Sequence, residues 1–220
     1  MSIVQSNSGG ASNVTSVSIA YTTNVASGNI LVATAAQNGN SIMTIGDTRG
    51  NTWVAAASAT GPANNSGSQN SAVWYVASSA SGATTITVSG TVATADWWAT
   101  VFEINGYASP PTAVGSGNGT STEASIPSMS FGSGAFVIAQ LDEGATTTTE
   151  TTGFTRISGI TQRLTPTEYA NSVSSPSTCA WALGTNANWN EVAAVFNVFV
   201  AVSRFFESGP KRQYRRGYRR

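Results

Sequence analysis

The order of strands and turns in this 220-residue chain runs twice, and that repetition constrains the fold more than any other feature. Ser18-Ile19, the turn Ser27-Gly28 and the run Ile30-Leu31-Val32-Ala33 are answered by Ser125-Ile126, Ser133-Gly134 and Phe136-Val137-Ile138-Ala139. Ile19 to Ile126 is 107 positions, and so is Trp74 to Trp181. Val101-Phe102-Glu103-Ile104 is matched by Val195-Phe196-Asn197-Val198 at 94, which places the shortening of the second copy near its end. A long repeat with a shared element order points to duplication of one unit.

Each copy reads as β-structure. Val17, Ile19 and Tyr21 alternate with small polar residues, as do Thr85-Ile86-Thr87-Val88, the pattern of half-buried strands. Ile30 to Ala33 and Ala72 to Val76 are continuous apolar runs of strand length, and Trp97 to Ile104 reads as a long strand with both faces occupied. Asn38-Gly39-Asn40, Asp47 to Asn51 and Ser81-Gly82 are turns, and Gly61 to Asn70 is a loop. No stretch carries a helical period over a dozen residues. The expected fold is all-β: an antiparallel β-sandwich built from two similar halves. The expected divisions are an N-terminal strand (1–16), a first β half (17–107), a connector rich in Pro and Gly (108–122), a second β half (123–202) and a basic tail (203–220).

Composition narrows the function. The chain has no histidine, which removes Ser-His-Asp and Cys-His catalysis and the common imidazole metal sites. Its single cysteine, Cys179, excludes an internal disulfide framework and reads as a small buried hydrophobe. No basic region followed by an apolar one opens the chain, so no secretory signal is expected. The longest apolar stretch, Val192 to Val202, contains Asn197 and is too short to span a bilayer. Charged residues make up 9%, against about 25% in ordinary domains. So few charges suit a subunit largely covered by copies of itself, since self-repulsion is weak.

Several motifs together resemble a known group. They are Gly28 to Val32, Asp47 to Trp53 (Asp-x-x-Gly-Asn-Thr-Trp), Trp74-Tyr75, Ser81 to Val88, and Phe102 to Gly106. In the second half they are Gly153 to Arg156, Glu168-Tyr169 and Trp181…Trp189…Val195-Phe196. Over roughly residues 12–200 the chain resembles the immunoglobulin-like or jelly-roll sandwiches of phage structural proteins and of bacterial surface or filament proteins. The resemblance implies architecture rather than chemistry: no catalytic residue, cofactor or metal comes with it.

The candidate residues follow. Asp47-x-x-Gly50-Asn51 is expected to be a capped turn rather than a cation site. Asp142 and Glu143 are adjacent, so on a strand they point opposite ways and cannot flank a substrate as a glycosidase pair does. Trp97 and Trp98 share a strand, so one ring is left for solvent or a partner, and the two are the candidate contact residues. Trp74 and Trp181, at matching repeat positions, are expected in the core.

The first 16 residues hold few apolar anchors, chiefly Ile3, Val4 and Val14. Two fates are open to them: the first strand of the chain's own sandwich, or a strand donated to a neighbouring copy. The tail after Ser208 carries Lys211, Arg212, Arg215, Arg216, Arg219 and Arg220, giving it +6 against −6 for the rest. Docking on the acidic body of another copy, nucleic-acid binding, and simple solvation are all open to it. The expected function is that of a structural subunit, not an enzyme, self-assembling by strand exchange into an extracellular pilus-like filament or a virion component. The alternative is a carbohydrate- or cell-surface-binding module that stacks glycans on exposed tryptophan. The expected partners are copies of itself, with glycans secondary and nucleic acid through the tail only; no membrane span is expected.

Overall fold

The structure is a computed structural model that describes residues 1–39, 42–60, 70–91, 95–129, 131–143, 148–157, 166–173 and 177–199. Its strands in chain order are β1 (Ser2–Val14), β2 (Ser16–Ala20), β3 (Ile30–Gln37), β4 (Thr44–Asp47), β5 (Val54–Thr60), β6 (Asn70–Val76), β7 (Thr85–Ser89) and β8 (Ala95–Asn105) in the first half. The second half holds β9 (Ala113–Met129), β10 (Ala135–Glu143), β11 (Thr148–Thr149), β12 (Thr155–Ile157), β13 (Thr167–Val173) and β14 (Ser177–Phe196). No helix occurs among the described residues, and every ladder is antiparallel. The fold is therefore an all-β antiparallel sandwich, as the turn spacing implies.

The first half pairs a five-stranded sheet, β1-β8-β3-β6-β5, with a three-stranded one, β2-β7-β4. The second half repeats this order as β9-β14-β10-β13-β12. Its covering layer is made by the other arms of β9 and β14, with β11. The β9–β14 register breaks between Ala182 and Ala187 on β14, opposite Glu123 and Ser121 of β9, where both strands cross from one layer to the other. Accordingly the two ends of β9 face each other: a Cβ on Gly117 would lie 3.0 Å from the Ser125 carbonyl oxygen.

Burial follows from this stacking. β3 (ILVATAAQ) and β10 (AFVIAQLDE) are central strands covered on both faces, and all their residues are buried. Leu31, Ala33, Trp74, Trp97 and Val101 face the covering sheet of the first half, with Val17, Ile19, Ile86 and Val88. The opposite face of the same sheet packs on the second half. There Ile30, Val32, Phe102 and Ile104 meet Phe136, Ile138, Val192 and Phe196. Phe102 lies 5.4 Å from Phe136 and 5.2 Å, edge-on, from Tyr169, the tilted geometry aromatic quadrupoles favour. Towards the other end this seam turns polar: Thr34 and Thr167 both donate to Gln140 Oε1, at 2.9 and 2.7 Å. Buried hydroxyls and amides thus meet partners across the seam.

The registers revise the repeat. With Ile30 matched to Phe136, Tyr75 answers to Tyr169 and Trp97 to Trp189. Trp74 and Trp181 do not correspond: Trp74 pairs with Ala33 on β3, whereas Trp181 pairs with Ala124 on β9, in the arm that answers to β7. Val101 answers to Ala193 rather than Val195. The second copy is shortened in its middle, where β11 and β12 are two and three residues long and β4 and β5 are four and seven.

The connector expected at 108–122 is also revised. From Ala113 onward it is strand, paired with β14. Gly117 and Gly119 are strand residues because the Trp189 ring lies across them, a Cβ on Gly119 coming within 3.1 Å of that ring, and Gly115 because Ile126 and Met129 crowd it. Likewise Asn70 is a buried strand residue rather than the end of a loop, while 61–69 lie outside the described residues.

Candidate functional site

The N-terminal segment forms β1, an edge strand that pairs antiparallel with β8 of its own chain from Ser2↔Asn105 to Val14↔Ala95. It is 13 residues long, carries no charge, and buries no side chain fully. Ile3 is half-buried against the seam between the halves, and Val14 against the first core. Val4 sits at the bulge between Ile3 and Gln5 and is 48% exposed. Polar contacts tie the strand down. Gln5 Nε2 donates to Glu103 Oε2 at 2.6 Å, and Gln5 Oε1 accepts from the Thr23 N–H at 3.0 Å. Asn7 Nδ2 donates to the Ala20 carbonyl at 2.8 Å. β1 is thus held by backbone ladders and polar side chains rather than by a hydrophobic anchor.

Of the tryptophan pair, Trp97 is fully buried in the first core, and its indole N–H donates to the Val14 carbonyl at 3.1 Å. It is not an exposed contact residue. Trp98 points to the other face and is half-buried. Trp53 is also half-buried, and Trp74, Trp181 and Trp189 are buried.

Asp47 forms a turn, as its spacing implies. One carboxylate oxygen accepts from the N–H groups of Arg49 (2.7 Å) and Asn51 (3.2 Å), the other from Asn51 Nδ2 (3.0 Å) and Trp53 Nε1 (2.7 Å). Four donors occupy the carboxylate, and Gly50 takes φ +69°.

A third constellation has no local sequence motif. Glu168 on β13, Cys179 on the first arm of β14 and Glu191 on its second arm converge inside the second sandwich. One ligand atom of each lies within 4.8 Å of the other two. All three are essentially inaccessible, at 0, 1 and 0% exposure. Thr151 secures Glu168, its N–H donating to Oε2 at 2.8 Å and its hydroxyl to Oε1 at 2.7 Å. Neither oxygen of Glu191 has a hydrogen-bond partner.

Burial sets the protonation of this group. Desolvation lifts the Glu168 carboxyl from 4.5 to about 7; the Thr151 hydrogen bonds pull it down, and Glu150 pushes it up. Glu191 is raised by burial first and then by Glu168, while the nearby Trp181 indole offsets a part without completing a hydrogen bond. The Cys179 thiol is pushed up by burial and by both acids. Cys179 is buried as its apolar neighbours imply, but its company is polar. Thr151, which holds Glu168, also lines an open depression of about 400 Å³ together with Glu123, Glu150 and Trp181. The guanidinium of Arg156 lies 5.9 Å from the centre of the Trp181 ring.

Asp142 and Glu143 are both buried on β10, opposite Asn190 and Trp189, and as neighbours on a strand they face different layers. The six tail residues from Lys211 to Arg220 lie outside the described residues. No helix is long and apolar enough to cross a membrane among the described residues. No family model, curated protein or solved structure matches this chain.

Proposed function

We propose that this chain is a structural subunit that self-assembles, by donating β1 to a neighbouring copy, into an extracellular filament or a virion component. The observation that carries the reading is β1 itself, an uncharged edge strand with no fully buried side chain. Long edge strands normally carry Lys, Pro or other devices that block pairing with another chain; β1 has none apart from two irregularities of register, at Ile3/Gln5 and Ala11/Val14. Exchange would replace one set of β1–β8 ladder bonds by an identical set between copies and would sacrifice no core packing. The low charge content favours close association. Binding glycans through exposed tryptophan draws less support, because none of the six is exposed.

Light scattering after size-exclusion chromatography, with negative-stain images, tests the proposal on the full chain. Large regular particles are expected; a 22.5 kDa monomer at low and moderate salt would overturn it.

A further inference from the structure

The two sandwiches share one strand order, yet their interiors differ at one place. Matching Ile30 with Phe136 puts Glu168 where the first half has Trp74, and Glu191 where it has Ala99. Cys179 pairs with Ile126 as Ile86 pairs with Ile19. Three apolar core residues are thus replaced by two acids and a thiol, all buried, with ligand atoms within 4.8 Å of one another. Both oxygens of Glu191 lack a hydrogen-bond partner, and so does the indole N–H of the adjacent Trp181. Buried polar groups are ordinarily paired, and an unpaired buried carboxylate is expensive. The twin sandwich shows that this fold needs no acid there, so the acids call for another explanation.

We propose that Glu168, Cys179 and Glu191 are the protein ligands of a divalent metal ion, of the zinc class, inside the second sandwich. One thiolate with two carboxylates suits a borderline d¹⁰ cation, whereas calcium and magnesium take oxygen ligands only. Zinc lies about 2.3 Å from sulfur and about 2.0–2.2 Å from oxygen, so the three atoms, now within 4.8 Å of one another, would draw together to roughly 3.5 Å on binding. The Thr151 hydrogen bonds orient Glu168 as outer groups orient metal ligands, and each of its oxygens keeps a lone pair. The depression lined by Glu123 and Glu150 gives a cation an acidic approach, and Arg156 is the basic group nearby. Binding displaces the proton of the Cys179 thiol and any proton on the two carboxyls to solvent, so affinity rises with pH. The site is independent of strand exchange and stands whether or not the chain assembles.

The test uses full-length protein stripped of metal, with Co²⁺ or Zn²⁺ added both to folded protein and during refolding. The chain has one cysteine and no histidine, so a thiolate-to-cobalt charge-transfer band can come only from Cys179. The expected result is such a band at one Co²⁺ per chain, displaced by Zn²⁺, with a rise in Tm on adding Zn²⁺. Cys179→Ser should lose the band. Glu191→Gln should bind Co²⁺ at least tenfold more weakly and lose the Zn²⁺-dependent rise in Tm. Because Glu191→Gln replaces an unpaired buried carboxyl by a group of the same shape that cannot ionise, it should fold at least as stably as the metal-free parent. Absence of the band and of the Tm shift in the parent would overturn the site. So would a band and shift that survive unchanged in Glu191→Gln.

Discussion

Glu168 stands opposite Ala139 across the β13–β10 ladder as Trp74 stands opposite Ala33 across β6–β3, so an acid fills the core position of an indole. The carboxyl is raised from 4.5 to about 7 in the folded chain, which means that the folded state holds a proton the unfolded state has released. The stability this proton contributes is fully present below pH 4.5 and is lost as pH rises through 7. The metal-free protein should therefore be less stable at pH 8 than at pH 5, by on the order of 3 kcal/mol from Glu168. Glu191, raised in the same direction, adds to the slope. Urea unfolding across this range should show the fall, reduced in Glu168→Gln and abolished in Glu168→Gln/Glu191→Gln.

The two adjacent tryptophans should separate sharply by stability. Trp97→Ala empties a fully buried site and removes the donor to the Val14 carbonyl; it should cost about 3–5 kcal/mol. Trp98→Ala acts on a half-buried ring and should cost about 1–2 kcal/mol. Equal losses would contradict the placement of the pair on opposite faces of β8.

Glu103 is a latch. Its buried carboxylate accepts from Gln5 Nε2, the Ala26 N–H and Asn29 Nδ2 at 2.6, 2.9 and 2.6 Å. It thereby ties β1 to the turn that leads into β3. Glu103→Ala would orphan three donors and should cost about 3 kcal/mol or more. The milder Gln5→Ala leaves two of these bonds in place and should cost about 1 kcal/mol. If strand exchange drives assembly, Gln5→Ala should also speed the growth of particles, followed by light scattering.

What was legible in the sequence is what local patterns encode. Alternation located β2 and β7, apolar runs located β3, β6, β8 and β10, and the Asp47 turn closes on the donors that its spacing supplies. Equal spacing misled at Trp74 and Trp181 because residues are missing from the middle of the second copy, which shifts everything after β10. Gly117 and Gly119 read as a connector because the ring that demands them, Trp189, is about 70 positions away. The Glu168–Cys179–Glu191 group has no motif for the same reason: β13 and the two arms of β14 bring it together across the fold. One signal was present. Glu168-Tyr169 answers to Trp74-Tyr75, so comparing the copies at that point exposes an acid where the twin has a core residue.

The central claim is that β1 leaves its own β8 for that of a neighbour. The most direct test tethers it at home. Ser2 and Asn105 are exposed partners at the end of the ladder, so the double variant Ser2→Cys/Asn105→Cys, refolded from denaturant at high dilution under oxidation before copies can meet, should form a cross-link within one chain. Light scattering on the same sample, oxidised and then reduced, reads the outcome. Strand exchange predicts a 22.5 kDa monomer when oxidised and large particles on reduction. The same particles in both states, or a monomer in both, would contradict it.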